Sequence, residues 1–345
     1  MDYEISVGNP DSSITDRNTV KSVEKSEKSK WTYLIYMAAD SNISDAALYD
    51  IVSIQQTIVD SEIDIYVLAD RSPAGTVGYG DKVMINRTYT WDSDWEDTRV
   101  GKITYSPGLT VTVDWTSWGE LDTGSIATLE RFVNWAQEES PAENYGLILW
   151  DHGRENGTFC FDVTTDPRGN AYITVSEVAG LLKEKGNIPI VIYNACLFAS
   201  ELVVTQMAGS TDVIVVSEPF SYGGSTTFNY SMFFHTITPD MTPQEMAAIM
   251  VRNVESQKDI PPEPIMLTSV DVTDSRLGAA LEALAEAVAA ADNDADKAVL
   301  IRAMLQAPQN GSSYDGTDVQ QSDLGFMICD VMADPDYERD RKSVV

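Results

Sequence analysis

Basic residues, histidine and cysteine are all scarce in this 345-residue chain, and each scarcity closes off a class of function. Lys and Arg total 23 against 54 Asp and Glu, giving a net charge of −31. Nucleic-acid binding replaces phosphate counterions with clustered Lys and Arg, so so acidic a chain is not built for it. Docking on anionic lipid is disfavoured for the same reason. Cys160, Cys196 and Cys329 are too few and too scattered for a disulfide framework. With only His152 and His235 beside them, a His/Cys zinc cluster has too few ligands. No apolar run reaches the ~18 residues of a membrane span. No basic segment followed by an apolar one opens the chain, and no internal repeat is present.

What is present is ordinary for a globular protein: 43% hydrophobic and 22% charged residues, enough to bury a sizeable core. The length fits one large or two modest domains. The acidity reads first as solubility and second as steering of cationic substrates such as Lys- or Arg-rich polypeptides.

Residues 1–30 are polar and charged and read as a disordered arm. Order is expected from Trp31, with strands at 32–37, 63–70, 145–150, 188–193 and 212–217 and helices at 43–60, 124–138, 178–185 and 199–207. Thr174 and Glu177 form a capping-box pattern before the third helix, and Gly186 closes it. An antiparallel hairpin is expected over 82–91. Further on, Thr242, Pro243 and Glu245 start a helix to about residue 258. A strand at 265–270 and helices at 277–291 and 295–305 follow, and 308–345 reads as loop, a short segment at 324–332 and a charged tail. Strands alternating with helices predict a mostly parallel sheet covered on both faces. The expected division is an arm (1–30), an α/β domain (31–240) and a more helical extension (241–345). In such sheets the functional crevice lies beyond the carboxyl ends of the strands, where His152, Cys196, Asp40, Asp70 and Ser217 all fall.

His152 and Cys196 each follow directly on a short apolar run, which would set an imidazole beside a thiol at one sheet edge. The thiolate is the nucleophile in cysteine catalysis, and a neighbouring imidazole or imidazolium activates it. A lone histidine is more often packed at a strand end and hydrogen-bonded to backbone. Gly153 alters that balance, because glycine lets the backbone approach a ligand closely and offer its N–H to an oxyanion. A free cysteine is usually a small buried hydrophobe. Cys196, however, stands before an expected helix start, where N–H groups favour a thiolate. Cys196 follows His152 by 44 residues, about one strand–helix–strand unit. Cys160 reads as a loop or core position, and His235, in Met232-Phe233-Phe234-His235, as structural. Residues 292–296 open like a calcium loop but carry Lys297 where Gly is needed and Ala303 where Glu is needed. Residues 75–80 lack the Lys and Ser/Thr of a phosphate loop.

Several blocks together resemble the clostripain-like cysteine peptidases and, behind them, the caspase-like group of legumains, gingipains and separases. They are Trp31 to Asn42, the helix at 124–139 leading through Pro141-Ala142 to Leu147–Gly153, the Tyr193–Leu197 block, and Ser217-Glu218. The likeness covers about residues 31–235. It implies a three-layer α/β/α sandwich whose catalytic domain spans 31–240. It implies a His–Cys dyad without a required third acid: Cys196 as nucleophile, His152 as proton donor to the leaving amine, and the N–H groups of Gly153 and Cys196 as the oxyanion hole. It also implies a single-chain zymogen that cuts itself between the two strands, with Arg168 in the 162–172 stretch as the candidate point. Polypeptide substrates, a monomer, and a secreted or cell-envelope location in a bacterium or archaeon with the leader removed follow from the same resemblance. No cofactor is required by it. Calcium is compatible with the family, with no clear site in the sequence.

In one place the chain departs from that pattern. Relatives that cleave after Arg or Lys carry an acid two positions before the nucleophile, where this chain has Asn194. An amide cannot neutralise a guanidinium, so cleavage after a smaller or polar residue stays open. Ser217 and Glu218 are the other candidate pocket residues. Two alternatives stand beside the peptidase: a catalytically silent polypeptide-binding module, and an amidase or transpeptidase using the same dyad.

Overall fold

The run beginning at Trp31 is apolar on both faces, which suits a strand with helices above and below it. In the computed structural model it forms the middle of a sheet. The structure describes residues 28–72, 89–218, 228–255, 267–273, 279, 286, 309–314 and 317–322. The first half of the chain runs β1 (Ser29–Met37), α1 (Ser44–Gln55), β2 (Ile63–Asp70), β3 (Thr98–Lys102), β4 (Thr116–Gly119), α2 (Ile126–Glu139), β5 (Ala142–Trp150), β6 (Thr158–Phe159) and β7 (Ile173–Thr174). It continues with α3 (Val175–Lys185), β8 (Ile190–Asn194), α4 (Glu201–Met207), β9 (Val213–Ser217), α5 (Tyr230–Thr236), α6 (Pro243–Glu255), β10 (Leu267–Asp271), β11 (Gln309–Tyr314) and β12 (Thr317–Ser322).

Eight strands form the main sheet in the order β10-β9-β8-β5-β1-β2-β3-β4. The central pairs β1/β2, β1/β5, β5/β8 and β8/β9 are parallel. Both edges are antiparallel, through β9/β10 on one side and β2/β3 and β3/β4 on the other. One face of the sheet packs with Ile51 of α1, Phe233 and Phe234 of α5, and Met246 and Met250 of α6. The opposite face packs with Leu129 and Phe132 of α2, Val178 and Leu182 of α3, and Val203 of α4. The result is the expected three-layer α/β/α sandwich. Among the described residues no helix is long and apolar enough to cross a membrane.

The capping patterns form as expected. Thr174 accepts from the Glu177 N–H while Glu177 reaches back to the Thr174 N–H, and Thr242 and Glu245 do the same at α6. Three expectations need correction. β1 starts at Ser29, because the Ser29 N–H is taken by the Pro141 carbonyl and its hydroxyl by Asp64. α4 starts at Glu201 rather than at 199, since Ser200 caps it by accepting from the Val203 N–H. Beyond residue 240, α6 packs on the sheet, with the Tyr33 hydroxyl 3.1 Å from Met246 Sδ, and β10 extends that sheet. The stretch expected to be loop after 308 contains the hairpin β11/β12. The 82–88 part of the expected hairpin, the helices at 277–291 and 295–305 apart from 279 and 286, the segments 75–80, 292–296 and 324–332, and Cys329 lie outside the described residues.

The sheet's centre is tightly filled. Tyr33 on β1 lies opposite Gly146 on β5, and its ring meets Phe233 and Phe234 edge-on, with centroids 5.6 and 5.2 Å away. A Cβ at Gly146 would stand 2.4 Å from the Tyr33 ring. Gly146→Ala is therefore expected to destabilise the fold by about 1–3 kcal/mol through overpacking. A lower midpoint in urea denaturation is the predicted result, and an unchanged midpoint would contradict this account of the core.

Candidate active site

β5 and β8 lie side by side in parallel, with Trp150 opposite Asn194 at their carboxyl ends. The pairing continues one step further, as the Asp151 N–H donates to the Asn194 carbonyl at 3.2 Å. His152 and Cys196 each follow two residues after the Trp150/Asn194 pair, so the two residues leave the paired strand ends at the same register. Gly153 makes this approach feasible. A Cβ there would fall 2.5 Å from the Cys196 carbonyl oxygen and 2.8 Å from both Ala195 and Phe198. Only a residue without a side chain lets the two strand ends close on each other.

Beyond Cys196 the chain turns sharply. Leu197 has φ of 62° in the left-handed region, a conformation that costs a residue with a side chain about 1–3 kcal/mol. Two bonds hold the turn: the Phe198 and Ala199 N–H groups both donate to the Ser217 carbonyl, at 2.9 and 3.0 Å. The buried Phe198 ring packs against Phe159 and Tyr193. The expected help from a helix N-terminus is absent, because α4 begins five residues after Cys196. The nucleophile candidate sits instead in a strained turn anchored to the end of β9.

His152 is half-buried, and its Nε2 lies 2.5 Å from Asn42 Oδ1. The amide oxygen is an acceptor, so this contact puts the proton on Nε2 and makes Nδ1 the unprotonated, basic nitrogen of the neutral ring. Burial, and then the Arg154 charge, push the His152 pKa from 6.5 down to about 4. The resting imidazole is neutral at ordinary pH. Behind it, buried Asp151 accepts the Phe161 N–H at 2.5 Å and the Ser41 hydroxyl at 3.2 Å, with its own pKa driven up by burial. Ser41 in turn takes the Ser72 hydroxyl on its carbonyl, so the loops after β1, β2 and β5 are tied together. Asn42 escaped the sequence reading because nothing in its local pattern marks it. Only its position on the loop after β1, next to β5, brings it to the ring.

The remaining candidates fall in different places. Asn194 is 5% exposed and donates its amide to the Tyr230 hydroxyl at 2.7 Å, so its side chain is engaged in the core. Ser217 is fully buried at the end of β9, and Glu218 beside it is half-buried. Arg168 is exposed in the loop between β6 and β7, where its N–H donates to Asp166. Cys160 is a fully buried core residue in a left-handed turn, its thiol pKa raised chiefly by burial. His235 is exposed in the last turn of α5, away from the aromatic core that Phe233 and Phe234 enter.

A second polar cluster occupies the neighbouring strand ends. Asp40, Asp70, Glu120 and Asp162 bring one carboxylate oxygen each within 4.8 Å of one another, with only Glu120 exposed. Burial and mutual repulsion push Asp70 up to about 8 and Glu120 up to about 7. The sequence reading placed Asp40 and Asp70 at the crevice but did not connect them with Glu120 and Asp162.

Three comparisons bear on this site. The sequence profile of the clostripain family matches residues 35–323. Clostripain of Hathewaya histolytica is 27% identical over 237 residues, which is 62% of this chain and 43% of that protein. The chain thus spans less than half the length of the curated relative it matches. Among solved structures, an inactive zymogen C11 protease from Parabacteroides distasonis aligns with a TM-score of 0.61 at 16% identity, covering 92% of this chain and 81% of that one. A secreted C11 cysteine protease from Bacteroides thetaiotaomicron, in complex with an irreversible peptide inhibitor, aligns with a TM-score of 0.58 at 14% identity, covering 91% and 82%. These likenesses identify the fold as that of the caspase-like C11 proteases.

The electrostatics of His152 can be measured directly. Its folded pKa of about 4 lies below the ordinary 6.5, so the unfolded chain takes up a proton first as pH falls. This group therefore opposes folding progressively between pH 6.5 and about 4, and its full cost is present below that window. NMR titration of the imidazole should show a midpoint near 4, moved upward by Arg154→Gln. A midpoint at the ordinary value would refute the burial argument.

Proposed function

The chain belongs to the clostripain family, and from that premise we propose that it is a cysteine endopeptidase acting on polypeptides, with Cys196 as nucleophile and His152 as proton carrier. The observation that carries this reading is the level ending of β5 and β8, with Gly153 pressed on the Cys196 carbonyl. As Sγ attacks the scissile carbonyl carbon, the thiol proton passes to the neutral imidazole, and the carbonyl oxygen becomes an oxyanion. The N–H groups of Gly153 and Cys196 are the proposed donors to that oxyanion. The tetrahedral species collapses as the imidazolium returns its proton to the leaving nitrogen and the C–N bond breaks. Water then attacks the thioester and gives a proton to His152, which passes it to the departing sulfur. Asn42 holds the ring by its Nε2 and keeps one tautomer throughout.

Pocket chemistry follows from neutral Asn194. Its amide is already given to Tyr230, so a basic side chain before the scissile bond would depend on Glu218 at the end of β9. A mixed peptide library should show preference for small or polar residues, and any Arg or Lys preference should vanish in Glu218→Gln. The exposed Arg168 loop is the proposed point of self-cleavage, by analogy with the relative described as a zymogen. Export from a bacterial cell as a monomer is proposed on the likeness to the relative described as secreted.

Cys196→Ala and His152→Ala should each lower peptide hydrolysis by at least about 10³-fold and stop self-cleavage. Asn42→Ala should reduce kcat by about ten- to a hundredfold, a part of what a placed acid–base group contributes, with KM little changed. A thiol-reactive peptide probe should label Cys196 rapidly and only with His152 present, while buried Cys160 stays silent. Slow labelling of Cys196, matching Cys160, would instead make the chain a silent polypeptide-binding module.

A further inference from the structure

A groove runs along one side of the sheet, between the edge strand β4 and helix α2. Its volume is about 510 Å³, within the range of small-ligand sites. β4 contributes Trp118. α2 contributes Arg131, Asn134, Trp135 and Glu138, at the three- and four-residue spacings that share one helix face, with Glu130 at the side. The two indoles stand nearly perpendicular, with centroids 5.7 Å apart. Trp135 also packs on Tyr66 and Phe132, at 5.5 and 6.1 Å, which fixes its ring. The Arg131 guanidinium lies over the Trp118 ring, 4.0 Å from its centroid. β1, β2 and β3 separate β4 from β5, so about 19 Å of strand spacing lies between the groove and the His152 strand.

We propose that this groove binds a neutral oligosaccharide. The half-buried indoles offer apolar platforms for the C–H face of a sugar ring. Directional polar groups surround them. Among the described residues the indole N–H groups of Trp118 and Trp135 have no acceptor, and Arg131 and Asn134 make no ion pair or side-chain hydrogen bond. Glu138 is exposed, and Glu130 gives one oxygen to Lys185 at 2.8 Å. Sugar hydroxyls both donate and accept, so one ring can serve the carboxylates and the N–H donors together. Polypeptide fits less well. A proline-rich segment, which docks in aromatic-lined grooves of other proteins, brings mainly acceptors and would leave Glu130 and Glu138 without donors. Strand addition is disfavoured at β4, which has four residues and a register shift against β3. A basic segment would meet the Arg131 charge. An acidic glycan would meet Glu130, Glu138 and a chain of net charge −31. Sugar binding is independent of the peptidase reading. Where both hold, the groove is a second attachment point for sugar-bearing polypeptides, remote from the dyad.

The test uses the full-length Cys196→Ala protein, so that self-cleavage cannot interfere and binding is read without activity. Titration calorimetry with cellohexaose, maltohexaose, mannohexaose and chitohexaose should show saturable binding of at least one of them, at one site per chain, with Kd of about 1 mM or tighter. Trp118→Ala should weaken that binding by at least about tenfold, and Trp118→Phe, which keeps a ring, should lose less. Arg131→Ala changes an exposed side chain, leaves the fold intact by its urea midpoint, and should also weaken binding several-fold. Tyr105→Ala removes an exposed aromatic ring outside the groove and should leave binding unaltered. Decaproline and trigalacturonic acid should bind more weakly than the preferred hexaose. Absence of binding by all four hexaoses, binding unchanged in both Trp118→Ala and Arg131→Ala, or tighter binding of decaproline or trigalacturonic acid would each overturn the proposal.

Discussion

The close approach of two backbone segments governs this molecule. β5 and β8 can end level only because Gly153 presents no side chain to the Cys196 carbonyl and because Leu197 accepts a left-handed turn. A single methyl group at Gly153 would stand 2.5 Å from the Cys196 carbonyl oxygen and force the two segments apart. The strain at Leu197 is compensated nearby, where the Ser217 carbonyl takes two N–H groups and Phe198 is sealed into an aromatic cluster. Rigid strands, rather than flexible loops, thus set where the segments carrying His152 and Cys196 begin.

Electrostatics divides the carboxyl edge of the sheet into two halves. At β5 and β8 a neutral imidazole and a thiol lie at the ends of apolar strands, with Asp151 kept toward its protonated form by burial. At β1 and β2 four carboxylates gather, and among the described residues Asp40 Oδ1 meets no hydrogen-bond donor. The turn from Asp40 to Asn42 belongs to both halves, since its first residue enters the acidic cluster and its last holds His152. A net charge of −31 explains little of this arrangement, because long-range charge governs solubility and encounter while these effects act within a few ångströms.

Much of the central sheet could be read from pattern alone. Strands such as β1 and β5 are buried on both faces and therefore appear as unbroken apolar runs, and the caps of α3 and α6 are local hydrogen-bond patterns. Elements stabilised by distant partners were harder to see. The start of α4 depends on Ser200, while the residues before it are drawn to the end of β9. The edge strands β3 and β4 are short, and β4 is largely exposed, so little periodicity marks them. β10 was visible as a strand, but its antiparallel place beside β9, and the packing of α6 on the sheet, were not.

For the site, the amino-acid order was enough to nominate His152, Gly153 and Cys196, because a polar residue placed directly after a buried strand can emerge only at the sheet edge. The fold supplied the neighbours. Asn42 against the imidazole, Asn194 turned toward Tyr230, and Glu120 with Asp162 beside Asp40 and Asp70 all join residues far apart in the chain. Periodicity records which face of a strand is buried, but strand order and loop closure decide which distant side chains share that face.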